Sequence, residues 1–289
     1  MTTAQEILTS SLQTFTSYTR DRISQLRIPR NRSYKPARRE RPVDVSQIQD
    51  HQLYKSASAS FRETLDHVGT FAPYSVILGR CDDSIPLLLE LNNPAPGSIL
   101  VTGDENAGKV RLVHSLIKSA VLLNSPGRVQ FSVIAREPAW YQPLARYPNC
   151  QQISAPDSPE ALQLVETLSA EEELSRRKGP SGRAMLLILD DLSTISEAFS
   201  YKHTARLFRL IKHGPRARIW PVGILQSNRS GNVHEKVLGA FRTRLIGKIA
   251  SSILAASFAG EDGSPVCELE SGSQFCVPVN GDWVVFRNF

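Results

Sequence analysis

One stretch constrains this chain more than any other: Gly97-Ser98-Ile99-Leu100-Val101-Thr102-Gly103-Asp104-Glu105-Asn106-Ala107-Gly108-Lys109-Val110, continuing through Arg111 to Leu123. Ile99 to Val101 is a short apolar run of the length of a buried strand. It enters a loop that opens on Gly103 and closes on Gly108. After Lys109, Val110, Val113, Leu116, Ile117 and Val121 recur at helical spacing. Strand, loop and helix in that order are the context in which GxxxxGK acts as a phosphate cradle. Glycines let the backbone turn its N–H groups inward, the helix start adds partial positive charge, and the lysine supplies a full charge to the outer phosphates. The residues offered to a nucleotide are Gly103, Asn106, Ala107, Gly108, Lys109 and Val110.

The same loop departs from its own pattern. Its last position calls for a Ser or Thr hydroxyl in the magnesium shell, and Val110 has no oxygen to give. Asp104 and Glu105 place carboxylates where a triphosphate would lie, and like charge opposes binding unless they point away. The expectation is a nucleotide cradle with a weakened magnesium site.

A second apolar run, Met185 to Leu189, ends in Asp190-Asp191 about eighty residues after Lys109. A buried strand closing on acids is the companion of a phosphate loop: Asp190 takes the metal side, and Asp191 polarises the attacking water. Ile219 to Leu225 is another strand, ending in Gln226-Ser227, where Gln226 is placed to sense the γ-phosphate. Further strands are expected over Tyr74–Leu78, Ile85–Leu91, Val129–Ile134 and Arg244–Ile249. A C-terminal hairpin, Phe275–Val279 with Trp283–Phe286, turns at Asn280-Gly281-Asp282. Helices are expected over Pro159–Arg177, started by Asp157 or Ser158, over His203–His213, and over Asn232–Phe241. Residues 136–156, with four prolines, read as loop. The whole is an α/β fold with a mostly parallel sheet flanked by helices and ligands at the carboxyl ends of the strands.

Charge is unevenly spread. The chain of 289 residues has a formal charge of +6, and residues 27–41 alone carry seven basic side chains against Glu40, a surplus equal to that of the whole chain. Three prolines punctuate residues 27–42, which have almost no core-forming residues, so the basic tail is expected to be extended or disordered. It is a solvated linker or an arm for polyanion or an acidic partner. The organisation read from this is an N-terminal extension (1–42) with a weak helix Ala4–Leu26, a helical lead-in (43–70), and a folded domain (71–289). No apolar run approaches the ~20 residues of a membrane span, and residues 1–12 are too polar for a secretory signal. The four cysteines form no CxxC pair and have no nearby histidine partner, as in a reduced, cytoplasmic protein rather than a zinc site or disulfide framework.

From Lys202 to Lys248 there are eleven basic residues against Glu235 alone, while acids dominate from Asp157 to Glu173. These are a basic channel face, with Lys202, Arg229 and Lys236 as candidate DNA contacts, or an ordinary solvated face, or acidic and basic edges for subunit contact. Arg216 and Arg218 are candidate arginines for a neighbouring subunit's nucleotide, against an ordinary surface role.

Taken together, Val76-Ile77-Leu78-Gly79-Arg80, the phosphate loop, Glu173-Leu174-Ser175-Arg176-Arg177, Ile188-Leu189-Asp190-Asp191, Gly223 to Arg229 and Arg242 to Ser252 resemble the motor domain of FtsK/SpoIIIE-type ATPases, in the wider HerA–FtsK group. The resemblance covers about residues 71–289. It implies a RecA-like core assembling as a ring around DNA or a secreted polypeptide, with ATP or ADP and magnesium as cofactors. Gly103, Gly108 and Lys109 become phosphate ligands, Asp190 the magnesium-side acid and Gln226 the sensor. Val110 replaces the family's Ser or Thr, and Asp191 its usual Glu. The paired aspartates and acidic loop look more like the auxiliary ATPase domains of type VII secretion motors. The function expected is an ATP-binding ring subunit with weak or absent hydrolysis within a larger DNA-handling or secretion assembly. The alternatives are an active ATP-driven DNA translocase, and a nucleotide-free structural or DNA-binding module that kept the fold.

Overall fold

The computed structural model describes residues 43–44, 58–180, 182–260, 265–279 and 281–289. The N-terminal extension 1–42, with its expected helix and basic arm, and residues 45–57 of the lead-in lie outside the described residues. Within them the chain runs β1 (Val43–Asp44), α1 (Ala59–Val68), β2 (Thr70–Phe71), β3 (Ser75–Cys81), β4 (Pro86–Glu90), β5 (Ile99–Gly103), α2 (Lys109–Leu123), β6 (Val129–Ala135), β7 (Cys150–Ser154), α3 (Pro159–Lys178) and β8 (Ala184–Asp190). It continues through α4 (Leu192–Ala198), α5 (Tyr201–His213), β9 (Ile219–Gln226), α6 (Glu235–Ala240), β10 (Thr243–Gly247), α7 (Ser252–Ala259), β11 (Gln274–Val279) and β12 (Asp282–Arg287).

Ten of these strands form one sheet in the order β4-β3-β12-β11-β10-β5-β9-β8-β6-β7. From β10 to β7 every pairing is parallel, and from β10 to β4 every pairing is antiparallel. The division follows the connections. Each parallel crossover needs a helix or long loop, whereas β3–β4 and β11–β12 are hairpins. β5 lies between β10 and β9 with all of its residues buried, as expected of a strand covered on both faces.

Alternation along the strands sends side chains to two cores. Ile99, Val101, Leu186, Ile188, Val222 and Ile224 pack with α1 and α2 on one face. Leu100, Leu187, Leu189, Leu225 and Ile246 pack with α3 to α7 on the other. This is the RecA-like P-loop arrangement, a mostly parallel sheet between helical layers.

Several local expectations change. Residues 136–156 contain an edge strand, β7, because Cys150–Ser154 pairs with β6 on one side alone and keeps a half-exposed pattern that periodicity does not reveal. Asp191 opens a short helix, α4, that the acidic reading of that position hid. α7 follows β10 directly, where no helix is expected from the sequence. Of the lead-in, Ala59–Val68 is helical, capped by Ser58, while Val43–Asp44 pairs with β2. No described helix is long and apolar enough to cross a membrane.

Candidate functional site

The carboxyl ends of β5, β9 and β8 converge. Gly103 is in register with Gln226, and Asp190 with Ile224 two residues earlier on β9. The loop after β5 needs left-handed backbone at Asn106 (φ 62°) and Gly108 (φ 85°). A Cβ on Gly108 would sit 2.4 Å from the Gly272 carbonyl oxygen, so both the conformation and the space require glycine there. Ala107 is fully buried, and its amide donates to the Asp104 carbonyl at 3.2 Å within the loop. Gly108 precedes α2 without a side-chain cap, so the first N–H groups of the helix meet no side-chain acceptor there.

Lys109 folds across this loop, Nζ donating to the Gly103 carbonyl at 3.0 Å and the Asp104 carbonyl at 2.6 Å. Burial pulls its ammonium below the ordinary lysine range, opposed by the charges of Asp190, Asp104, Glu105 and Asp191.

Asp104 does not point at the cradle. Its carboxylate accepts from the Ser227 hydroxyl and, at 2.7 Å, from the Ala250 amide, while its own amide donates to the Lys248 carbonyl at 2.9 Å. The loop acid is a strut joining β5 to the ends of β9 and β10. Glu105 is exposed.

Asp190 is 7 % exposed and accepts from the Tyr141 hydroxyl at 2.8 Å. Burial pushes its carboxyl up to about 6; Asp191 adds to the rise, and Tyr141 and Lys109 oppose it. Asp191 is committed elsewhere. One oxygen accepts from the Ser193 amide (2.7 Å) and hydroxyl (2.6 Å), capping α4. The other accepts from Thr194 at 3.2 Å and pairs with Arg229 at 3.3 Å. Polarising a water would compete with all four contacts. Gln226 is half-buried beside Gly103.

Val110, the position without an oxygen, is half-buried and packs against the α2-side core. Asp104 is tied down as above, and no group of three or more His, Cys, Asp or Glu among the described residues has metal-binding geometry. Tyr141 engages one Asp190 oxygen, and the other is the carboxylate oxygen nearest the end of β8 for a metal or its water.

The basic candidates separate. Lys202 pairs with Glu166 at 3.4 Å, and Arg209 with Glu172 at 2.6 Å. Arg206 also binds Glu166, with His203 at 3.6 Å. The acids of α3 and the bases of α5 therefore face one another inside this chain, so these acidic and basic segments pair within it. Arg229 belongs to the site through Asp191, whereas Lys236 is exposed on α6, which packs beside α5. Arg218 is buried at the amino-terminal end of β9, the end away from the loop. It donates to Gly182 at 2.9 Å and Tyr74 at 3.3 Å and lies 4.8 Å over the Tyr74 ring. That corrects its candidacy as a reaching arginine; Arg216 beside it is exposed.

Sequence reasoning missed Tyr141, buried in the proline-punctuated stretch and singled out by no periodicity. It also missed Ser227 and the His114 ring, whose centroid lies 5.0 Å from that of Tyr141.

With that geometry in hand, the comparisons are specific about fold. The FtsK/SpoIIIE family model matches residues 75–180, which include the phosphate loop. No curated protein matches the chain. Among solved structures, EssC (ATPases 2 and 3) from Geobacillus thermodenitrificans is similar with TM-score 0.62 at 12 % identity, over 75 % of this chain and 44 % of that one. The cytoplasmic domain of the Thermomonospora curvata type VII secretion ATPase EccC is similar with TM-score 0.58 at 15 % identity, over 75 % of this chain and 28 % of that one. The pCW3 conjugation coupling protein TcpA, in a monomer form with ATPgS, is similar with TM-score 0.58 at 17 % identity, over 75 % and 66 %. This chain spans less than two thirds of each of these proteins. The sequence match over residues 75–180 and the similar solved structures together show a RecA-like P-loop fold in this chain.

Proposed function

We propose that this chain is an ATP- or ADP-binding subunit of an FtsK-like ring assembly, with weak or absent hydrolysis, and that the assembly handles a polypeptide or DNA. One observation carries the reading. Lys109 lies across the loop between its two glycines, while Val110 packs against the core and Asp191 is held by a helix cap and an ion pair. Binding rests on the loop backbone and Lys109. Turnover needs charge stabilisation and an oriented water in the transition state, and those are the groups in short supply.

Of the two cargo classes, the α3–α5 pairing favours polypeptide, because Lys202, Arg206 and Arg209 are already answered by acids. The Thermomonospora curvata EccC ATPases 2 and 3, similar with TM-score 0.58 at 16 % identity, are described in complex with a signal sequence peptide. Residues 27–41 supply a docking arm, and exposed Lys236 and Arg216 are cations available to a partner subunit or DNA.

Calorimetry with ATP, with and without magnesium, tests this directly. Binding should persist in EDTA, weaken roughly tenfold or more in Lys109→Ala, and gain magnesium dependence in Val110→Thr. No binding at millimolar ATP would favour a module that kept only the fold. A wild-type turnover on the order of 1–100 s⁻¹ would favour an active translocase.

A further inference from the structure

Asn288 follows β12 and is 8 % exposed, yet neither its Oδ1 nor its Nδ2 has a hydrogen-bond partner among the described residues. A buried carboxamide left unpaired on both atoms forfeits its hydration for nothing, so such a group in a folded chain calls for a reason. Its position supplies one. The Asn288 amide donates to the Ser273 carbonyl at 3.0 Å, and the adjacent Gly272 backbone lies directly against Gly108. Ser271 donates to the Asn106 carbonyl at 3.1 Å. The Phe289 carbonyl accepts from Ser115 at 3.1 Å and Arg111 at 3.4 Å on the first turns of α2. Asn288 is therefore held between the phosphate loop and the start of the helix that follows it.

Sheet order says which end of a nucleotide comes there. Asp190 and Gln226, the groups for the outer phosphates, lie on the β9 and β8 side of β5. The 270–273 turn and Asn288 lie on the opposite side, beyond β10, at the ends of β11 and β12. A phosphate chain laid along the loop with its terminal group toward Asp190 sends its ribose and base toward Asn288.

Resting on the nucleotide-binding reading above, we propose that Asn288 reads the adenine base. Its carboxamide oxygen accepts from the exocyclic amine, and its amide nitrogen donates to the neighbouring ring nitrogen, the paired acceptor and donor that adenine matches. Neither atom reaches solvent, so the base enters as the 270–273 turn lifts. That turn is fastened by the Ser271 hydroxyl, by the Asn288 amide on the Ser273 carbonyl and by the exposed Arg287–Glu270 pair, and exposed pairs hold little.

The test is calorimetry of the full chain with ATP, GTP and inorganic tripolyphosphate, on the wild type and Asn288→Leu, with thermal melts in the absence of nucleotide. Wild type should prefer ATP over both others by about tenfold or more, and the variant should bring those ratios close to one. The variant should also melt higher without nucleotide, because a side chain of similar size replaces an unpaired amide. Should Asn288→Leu fail to fold, Asn288→Ala carries the same ratio test. Equal wild-type affinity for ATP and tripolyphosphate, or an unchanged ratio in the variant, overturns base reading while leaving the phosphate cradle standing. Absence of binding by all three ligands overturns the nucleotide reading and this inference with it.

Discussion

At the carboxyl ends of β5, β8 and β9, the charges of Asp190, Asp104 and Lys109 are held by neutral partners. Tyr141 answers Asp190, Ser227 and the Ala250 amide answer Asp104, and loop carbonyls answer Lys109. Across α3 and α5, charges are held by one another: Glu166 by Lys202 and Arg206, and Glu172 by Arg209. The first arrangement leaves Asp190 and Lys109 partly desolvated and moves their proton affinities. Asp190 rises to about 6 and Lys109 falls. The second is mostly a solvated surface lattice, where pairing gains little because water already serves both partners. Ligand chemistry belongs to the first region, since stored desolvation is what an incoming phosphate or metal can relieve.

The comparison breaks most completely at Gly108. Gly108→Ala imposes left-handed backbone on a residue with a Cβ and drives that carbon to 2.4 Å from the Gly272 carbonyl. The expected loss is on the order of 3 kcal/mol of stability, together with nucleotide binding, read by urea denaturation and calorimetry. A variant as stable as the wild type would show that the 270–273 turn does not lie against the loop.

A subtler cut is Asp190→Asn, which keeps an oxygen for Tyr141 and removes the buried charge. The folded-state pKa, about 6, is above the ordinary 3.8. The folded state therefore holds the proton through that window, and wild-type stability falls as pH rises from about 4 to about 6, then levels. The carboxamide of the variant is neutral at every pH, so the variant should match wild type near pH 4. Above pH 6 it should exceed wild type by on the order of 2–3 kcal/mol. Denaturant midpoints at about pH 4 and about pH 7.5 measure this, and a pH-independent difference would refute the desolvation account.

The smallest effects sharpen the other side. Glu172 is 3 % exposed and bonded to Arg209, so Glu172→Gln should cost about 1–2 kcal/mol in a thermal or urea melt. Glu166, at the solvated end of the same seam, should leave the midpoint unchanged when replaced by Gln, at low and high salt alike. A large loss at Glu166 would mean that the seam is a buried network rather than a surface one.

Much of this architecture was legible in the order of residues. The run Ile99 to Gly103, the glycines, Lys109 and the helical spacing after it specify strand, loop and helix through local periodicity. The pattern Ala184 to Asp190 specifies the acid-bearing strand in the same way, and the terminal hairpin follows from Asn280-Gly281-Asp282 between two β-type runs. The edge strand β7 was hidden because it is stabilised by pairing with β6 and not by its own pattern. α4 was hidden because its cap, Asp191, carries the same carboxylate as a catalytic acid.

Sequence alone determined which chemical groups exist: a lysine behind two glycines, a valine where a hydroxyl is called for, two adjacent aspartates, an excess of bases after residue 201. Tertiary structure decided what each of them faces. Asp104 and Asp191 are spent on struts and caps, Arg218 is buried under Tyr74, the bases of α5 are matched by the acids of α3, and Tyr141 reaches Asp190 across 49 residues of chain. Local spacing sets backbone conformation because it acts over a few bonds. Partners and desolvation are set by residues far apart in the chain, which come together only when the sheet closes over both cores.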